Sequence, residues 1–127
     1  MSGTVLVVDD EAVVRSVARA ALEGAGFDVI TAGRGEEALA LFQQHNERLS
    51  AIVLDLDMPG MDGNETYHLI RQISGRVPII LMSGYGQTGA AKRFATPGAV
   101  PFLPKPFAPR GLLDQIYRSI GATSEME

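Results

Sequence analysis

Residues 5–10 of the chain read VLVVDD, an apolar run that ends directly in two carboxylates. The arrangement recurs at 51–55, AIVLD, and at 79–83, IILMS, where a hydroxyl takes the place of the carboxylate. A shorter run, Phe102-Leu103, is followed by Pro104-Lys105-Pro106. Short apolar runs with turn residues after them are typical of strands buried in a parallel sheet. The sequence therefore predicts strands that each end in polar or charged side chains.

Five strand–helix units alternate along the chain and predict one α/β domain, with a parallel sheet covered by helices on both faces. The predicted strands are 4–8, 27–31, 51–54, 77–82 and 100–103, and the predicted helices are 11–23, 35–45, 64–73, 87–95 and 109–120. Pro101 has no N–H to donate, which favours an edge position for the fifth strand. The polar residues 121–127 are expected to form a frayed tail.

Helix one carries an apolar stripe that is expected to face the sheet. The members of this stripe are Val13, Val14, Val17, Ala21 and Leu22.

Composition and net charge indicate a single globular domain and argue against several classes of function. The 127 residues are 46% hydrophobic and 20% charged, which is ordinary for a single globular domain. A net charge of -4 without a basic stripe argues against a nucleic-acid partner. The absence of cysteine excludes disulfides, thiolate metal sites and cysteine nucleophiles, and fits a cytoplasmic location. No membrane insertion is expected, because no apolar stretch approaches the roughly 20 residues that span a bilayer. No signal peptide is expected either, because the N-terminus has no basic region followed by an apolar segment.

The carboxylate, hydroxyl and ammonium side chains that follow the predicted strands are expected to lie close together. In an open parallel sheet the carboxyl ends of the strands share one edge, where ligands bind, so Asp9, Asp10, Asp55, Ser83 and Lys105 are expected to converge. Three neighbouring carboxylates repel one another unless a cation lies between them, and Mg²⁺ prefers oxygen ligands. A carboxylate can attack phosphorus, while a hydroxyl and an ammonium can donate to phosphoryl oxygens. The pattern predicts a cation and phosphoryl site.

Each of these side chains also has a purely structural explanation when it is taken alone. Asp9 and Asp10 can cap the helix that follows them, and Asp55 can begin a turn. Ser83 can cap a turn, and Lys105 can be a solvated loop residue. The functional interpretation depends on their occurrence together, at four strand ends in the right order.

Four stretches resemble the receiver domain of bacterial two-component signalling. They are VLVVDDE at 5–11, IVLDLDMPGMDG at 52–63, PIILMSG at 78–84 and FLPKPF at 102–107, in the family's order and at its spacing. The resemblance covers essentially the whole chain and implies a flavodoxin-like (βα)5 fold with strand order 2-1-3-4-5. It implies a signalling domain rather than an enzyme with its own substrate. A histidine kinase or histidine phosphotransfer protein would phosphorylate it on an aspartate.

By this resemblance Asp55 is the phosphoacceptor. The carboxylates of Asp9, Asp10 and Asp55 would hold Mg²⁺, with Asp10 the more direct ligand of the adjacent pair. The backbone carbonyl of Asp57 would complete the protein's share of the metal ligands.

The resemblance also implies a switch. Ser83 would move toward the new phosphoryl group, and Lys105 would pair with the acceptor or its phosphate. Phe102 matches the switch aromatic, whose inward movement would alter the face formed by helix four, strand five and helix five. The bond between Lys105 and Pro106 resembles one that is cis in the family.

The chain departs from the common family pattern in ways that bear on its output. Phe102 provides no phenolic hydroxyl to bond the moving loop. The family places Tyr85 and Asp57 beside the hydrolytic water, which leaves the phosphoryl lifetime open. Residues 83–85 and 102–107 resemble receivers attached to hybrid histidine kinases.

Two rival interpretations stand beside this one. Asp55 and Asp57 resemble the nucleophile and acid pair of haloacid-dehalogenase-type phosphatases. That family has Thr or Val where this chain has Pro59, and its pair follows the first strand rather than the third. The second rival is a receiver fold used only for protein binding, which has no need of Ser83 and Lys105 at their strand ends.

Overall fold

The computed structural model describes residues 3–84 and 101–126 of the chain. Its five strands form one parallel sheet in the order β2-β1-β3-β4-β5, which confirms the predicted fold class and strand order. The strands are β1 (Thr4–Val8), β2 (Asp28–Ala32), β3 (Leu49–Asp55), β4 (Ile79–Ser83) and β5 (Phe102–Pro104). The short β5 occupies one edge of the sheet, as Pro101 indicated.

Helices cover both faces of the sheet. They are α1 (Ala12–Gly24), α2 (Gly35–His45), α3 (Gly63–Ile73) and the C-terminal helix (Pro109–Met126), with a single 3₁₀ turn at Asn46–Arg48. The predicted helix four at 87–95 lies outside the described residues. In the part of the chain that the structure covers, no helix is both long enough and apolar enough to traverse a bilayer.

The side chains of β1 divide between two hydrophobic cores. Leu6 and Val8 pack in one cluster with residues of α2 and α3, and Val5 and Val7 pack in the other with residues of α1 and the C-terminal helix. All four are fully buried. Since successive strand residues point to opposite faces, a strand buried on both faces must be apolar at every position. The carboxylates that follow such a strand therefore lie beyond its apolar residues, at its end.

Helix α1 turns only part of the predicted stripe inward. Leu22 is fully buried, and Val14 and Ala21 pack against the same core, as predicted, whereas Val13 is 74% exposed and Val17 is 41% exposed. At 3.6 residues per turn, Val13 lies roughly 180° around the helix from Leu22, so both cannot face the sheet. The expectation that Val13 and Val17 face the sheet was wrong, and Val13 adds apolar surface near the strand ends.

The remaining differences lie at element boundaries. Strand β2 begins and ends one residue later than predicted, β3 begins at Leu49, and β4 begins only after Pro78, which has no N–H for a ladder. The C-terminal helix continues to Met126, so the expected frayed tail is helical from 121 to 126. A glycine inside a helix costs only about 1 kcal/mol relative to alanine, and Gly121 alone does not end this one.

Candidate functional site

The register of the sheet brings the polar and charged residues at the ends of neighbouring strands next to one another. Val8 pairs with Leu54, so Asp9 and Asp55 follow neighbouring positions on adjacent strands. Asp55 itself pairs with Met82, directly before Ser83. Ser83 pairs with Pro104, and the Ser83 carbonyl accepts a hydrogen bond of 3.0 Å from the backbone N–H of Lys105. Four consecutive strand ends therefore place these residues side by side.

Lys105 lies between two buried carboxylates. Its Nζ is 2.8 Å from Asp9 Oδ2 and 3.2 Å from Asp55 Oδ2, and a third carboxylate, Glu11, is 3.7 Å away. The Lys105 side chain is 13% exposed, whereas those of Asp9 and Asp55 are almost completely buried. The ammonium is thus the internal counter-ion of the site.

Backbone contacts fix the orientation of Asp9. Its N–H donates to the Ala32 carbonyl at 3.1 Å, and its Oδ1 accepts from the Glu11 N–H at 2.8 Å. The Arg15 guanidinium donates to the Asp9 carbonyl at 2.7 Å. With these groups engaged, Oδ2 is directed at the pocket. The contacts of Glu11 and Arg15 could not be predicted from the sequence, because they depend on how α1 turns back over the strand end.

The loop after β3 is held tightly against Asp55. The Asp57 N–H donates to Asp55 Oδ1 at 2.9 Å, and Asp57 Oδ2 accepts from the Gly84 N–H at 2.9 Å. Gly63, the first residue of α3, packs so closely that a Cβ there would overlap the Asp55 carbonyl and the Leu56 backbone. Asp62 caps α3 by accepting from the Glu65 N–H at 2.9 Å. Strand β3 and α3 are therefore locked together through this loop.

The acidic cluster fits a hard divalent cation. Asp9, Asp10 and Asp55 each offer a carboxylate oxygen, and these atoms lie within 4.8 Å of one another. Asp9 Oδ2 and Asp55 Oδ2 are buried and accept no well-aligned hydrogen bond from the described residues, although Lys105 is at ion-pair distance. Three carboxylates against one ammonium leave an excess of negative charge. Oxygen donors with that excess match the preference of Mg²⁺.

Burial controls the ionisation of the site. Burial raises the pKa of Asp55 to about 6, and the Asp9 charge adds to this, while the Asp57 N–H and Lys105 oppose it. Burial alone lowers the pKa of Lys105, but the carboxylates of Asp9 and Asp55 outweigh it and raise the pKa above its ordinary value. Near pH 7 the site therefore combines an ionised Asp55 with a protonated Lys105.

The proposed switch residues lie on the two strands next to this cluster. Ser83 is 1% exposed at the end of β4. Phe102 is half-buried at the start of β5, three residues before Lys105, and Gln115 of the C-terminal helix donates to its carbonyl at 3.2 Å. The peptide bond between Lys105 and Pro106 is cis, as the resemblance implied. Tyr85 lies outside the described residues.

A groove opens beside the cluster. It has a volume of about 490 Å³ and is lined by polar groups at Glu11, Gly84 and Lys105 and by apolar groups that include Val13 and Phe107. The exposed face of α1 therefore leads directly to the ends of the strands. The site combines a buried carboxylate, an acidic cluster that fits a divalent cation, and an apolar approach.

Comparisons with known proteins agree with this geometry. The chain is 34% identical over 118 residues to the response regulator protein FleR of Pseudomonas aeruginosa, covering 93% of this chain and 24% of FleR. It is 35% identical over 107 residues to the sensor kinase CckA of Brucella abortus, covering 84% of this chain and 11% of CckA. It thus spans a quarter or less of either relative.

Structure and family comparison lead to the same assignment. A response regulator receiver domain protein from Clostridium thermocellum superposes with a TM-score of 0.89 at 26% identity, covering 98% of this chain and 99% of that one. The family model of the response regulator receiver domain matches residues 5–117. The chain belongs to the response regulator receiver domain family.

Proposed function

We propose that this receiver domain is a phosphoacceptor of a two-component phosphorelay, in which Asp55 takes a phosphoryl group from a phosphohistidine. The observation that carries the proposal is the environment of Asp55, a buried carboxylate held against Lys105 and beside Asp9 and Asp10. A purely structural carboxylate at a strand end gains nothing from this concentration of buried charge, which is costly to assemble. An acceptor of a phosphoryl group requires it.

The reaction is a transfer between two nucleophiles. A carboxylate oxygen of Asp55 forms a bond to phosphorus as the nitrogen–phosphorus bond of the donor breaks, and the histidine nitrogen leaves with the electron pair and takes up a proton. Mg²⁺, held by Asp9, Asp10, Asp55 and the Asp57 carbonyl, would neutralise charge on the phosphoryl oxygens. Lys105 donates to one of these oxygens, as does the Ser83 hydroxyl. The domain thereby promotes its own phosphorylation, and water later removes the group.

The conformational change after phosphorylation depends on how Ser83 and Lys105, which donate to the phosphoryl group, are connected through the backbone. Ser83 and Lys105 are joined by a backbone hydrogen bond, and Lys105 continues β5, which carries Phe102. When both donors turn toward the phosphoryl group, β5 and the segment after β4 shift together. The phosphoryl group stabilises one of two arrangements of the face formed by helix four, β5 and the C-terminal helix, and so shifts their populations.

The donor is a protein with an apolar surface around its histidine. Val13 is the most exposed of the large apolar residues that the structure describes, and it lines the groove that leads to Lys105 and Gly84. A small acyl phosphate needs no such surface. A helix of a histidine kinase or histidine phosphotransfer protein would bury Val13 and Val17 while its phosphohistidine reaches Asp55. The similarity to CckA makes a place in a hybrid kinase one setting for such a domain.

These roles favour a signalling domain over a phosphatase and over a receiver fold used only for protein binding. We expect the domain to act in the cytoplasm, with a protein rather than a nucleic acid as its partner. A phosphatase of the haloacid-dehalogenase type would release phosphate from esters over many turnovers. We expect none, because Asp57 is engaged through its N–H and its carboxylate with Asp55 and Gly84. A binding-only receiver would be indifferent to the charge state of Asp55.

The test is a titration with beryllium fluoride and Mg²⁺, followed by amide chemical shifts. Beryllium fluoride stands in for a phosphoryl group on the aspartate. Wild type should show changes at Asp55, Ser83 and Phe102, and Asp55→Asn should show none. Acetyl phosphate should label wild type only, with Mg²⁺ present. Identical spectra or equal labelling of the two proteins would refute the acceptor role.

A further inference from the structure

We propose that the Asp57 carboxylate restrains the Ser83–Gly84 segment in the unphosphorylated domain, and that this contact is released on phosphorylation. The proposal rests on the acceptor function above but concerns a different group. The Asp57 carbonyl is the expected metal ligand, whereas the carboxylate makes the restraining contact. Asp57 therefore acts as a positioning residue for the switch.

The contact joins two loops that are far apart in sequence. Asp57 Oδ2 accepts the Gly84 N–H at 2.9 Å across a separation of 27 residues. Gly84 directly follows Ser83, the residue whose hydroxyl must reach the phosphoryl group. A hydrogen bond to an ionised acceptor is stronger than one between neutral groups, so this contact opposes movement of the segment.

The same residue is tied to the acceptor through its backbone. The Asp57 N–H donates to Asp55 Oδ1 at 2.9 Å. Asp55 Oδ1, the Asp57 main chain, the Asp57 carboxylate and the Gly84 N–H thus form one connected path. A chemical change at Asp55 acts on the segment after β4 without any intermediate side chain from another element.

Phosphorylation changes both ends of this path. An acyl phosphate is a weaker hydrogen-bond acceptor at its carbonyl than a carboxylate, so the Asp57 N–H loses part of its interaction. The phosphoryl group also carries close to two negative charges in place of the single charge of the Asp55 carboxylate, so the negative charge near the Asp57 carboxylate increases, and like charges repel. Both effects weaken the contact with Gly84. The released segment is then free to bring Ser83 inward.

Lys105 transmits a displacement of Ser83 to β5. Its backbone N–H donates to the Ser83 carbonyl at 3.0 Å, so a displacement of Ser83 is passed to the strand that carries Phe102. The Asp57 contact therefore holds the whole switch in its resting arrangement. Removing it should shift part of the unliganded population toward the activated arrangement.

Two substitutions at Asp57 separate the effect of its hydrogen bond with the Gly84 N–H from the effect of its negative charge. Asp57→Ala removes both, whereas Asp57→Asn removes the charge and keeps an oxygen that can accept from Gly84. Both retain the Asp57 carbonyl, so a Mg²⁺ titration should give similar affinities for the two variants. Asp57 is only half-buried, and thermal unfolding checks that each variant is folded.

In the unliganded proteins, we expect the Gly84 amide to exchange about tenfold faster with solvent in Asp57→Ala than in wild type, with the rate of Asp57→Asn between the two because its neutral oxygen accepts a weaker hydrogen bond. The Gly84, Lys105 and Phe102 amide shifts of Asp57→Ala should move part of the way toward their beryllium fluoride positions. Beryllium fluoride should bind Asp57→Ala about threefold to tenfold more tightly than Asp57→Asn, because less of the switch remains to be released.

Equal amide exchange at Gly84 and equal affinities in the two variants would overturn the proposal while leaving the acceptor function intact. A wild-type protein that fails to respond to beryllium fluoride would instead count against the acceptor function. In that case the Gly84 exchange rates still decide whether Asp57 restrains the segment, since they are measured without ligand.

Discussion

The Lys105 ammonium lies 2.8 Å from Asp9 Oδ2, in a pocket where the aspartate side chain is completely buried. The same ammonium is 3.2 Å from Asp55 Oδ2. Lys105 therefore neutralises part of a cluster that would otherwise oppose folding through repulsion between its carboxylates. We expect it to contribute to the stability of the folded domain by itself.

Replacement of Lys105 by methionine keeps most of the side-chain volume and removes the charge. In metal-free protein at pH 8 the free energy of unfolding should fall by about 3 kcal/mol, because Asp9 and Asp55 are left as buried charges without their partner. Urea unfolding in the presence of a chelator measures the change. Added Mg²⁺ should restore part of the loss, since a bound cation supplies the missing positive charge.

Arg19→Met is the matched control for this charge removal. Arg19 pairs with Glu23 at 3.1 Å on the surface of α1, with both side chains about half exposed. Exposed pairs contribute at most about 1 kcal/mol, so this variant should unfold almost like wild type. Equal destabilisation by the two substitutions would show that Lys105 is not the internal counter-ion of the cluster.

The raised pKa of Asp55 predicts a pH dependence of stability. Its ordinary value is 3.8, and burial raises its pKa to about 6 in the folded, metal-free protein. Between these values the folded state holds a proton that the unfolded state has released. The contribution of Asp55 to stability therefore falls as pH rises from about 4 to about 6 and is level above that range.

Asp55→Asn isolates this contribution from the other titrating groups. The free energy of unfolding of wild type minus that of Asp55→Asn should fall by about 3 kcal/mol across the window, from the conversion of a pKa shift to free energy. Urea unfolding at a series of pH values with a chelator present provides the measurement. Parallel profiles for the two proteins would contradict a raised pKa at Asp55.

The sequence predicts the sheet and the acidic cluster because both depend on local patterns. A strand buried on both faces must be apolar throughout, and a parallel sheet places the residues after each strand at one edge. Those two rules are sufficient to bring Asp9, Asp55 and Lys105 together. They do not require knowledge of how any helix is rotated.

Features that depend on helix rotation or on loop packing escaped the sequence analysis. The exposure of Val13 depends on the rotation of α1, and the predicted stripe placed this residue on the inward face. The contacts of Arg15 with Asp9 and of Asp57 with Gly84 join groups whose approach no local spacing encodes. These are also the contacts that orient the site.

A substitution at Gly63 tests how closely the loop after β3 must pack on Asp55. A Cβ at this position would overlap the Asp55 carbonyl and the Leu56 backbone, neither of which can move as a flexible side chain would. Gly63→Ala should lower the free energy of unfolding by about 1–3 kcal/mol and weaken Mg²⁺ binding, since the Asp57 carbonyl lies in the same loop. Chemical unfolding and a Mg²⁺ titration measure the two effects.

Gly24→Ala is the control for that substitution. Gly24 ends α1, and a Cβ at this position would have no neighbouring atom within 4 Å, so alanine meets open space there. Because alanine is the better helix former, this variant should be as stable as wild type or more stable by up to about 1 kcal/mol. A Gly63→Ala protein as stable as Gly24→Ala would show that the loop yields without strain.

Val13→Glu tests the apolar approach to Asp55. Val13 is 74% exposed, so its replacement should leave the fold intact while placing a charge in the groove beside Lys105. Transfer from a phosphorylated histidine kinase that labels the wild type should slow by about tenfold or more, because a charge would be buried against the donor helix. Labelling by acetyl phosphate should change little, since a small donor makes no contact with α1.

Ile73→Glu provides the comparison on another part of the surface. Ile73 is 45% exposed at the end of α3 and does not line the groove. Its substitution introduces the same charge into an exposed apolar position and should leave both donors unaffected. If the two variants slow the kinase equally, or if Val13→Glu slows acetyl phosphate as much as the kinase, the groove is not the docking site of a protein donor. A selective loss in Val13→Glu alone would identify α1 as the surface that receives the phosphohistidine helix.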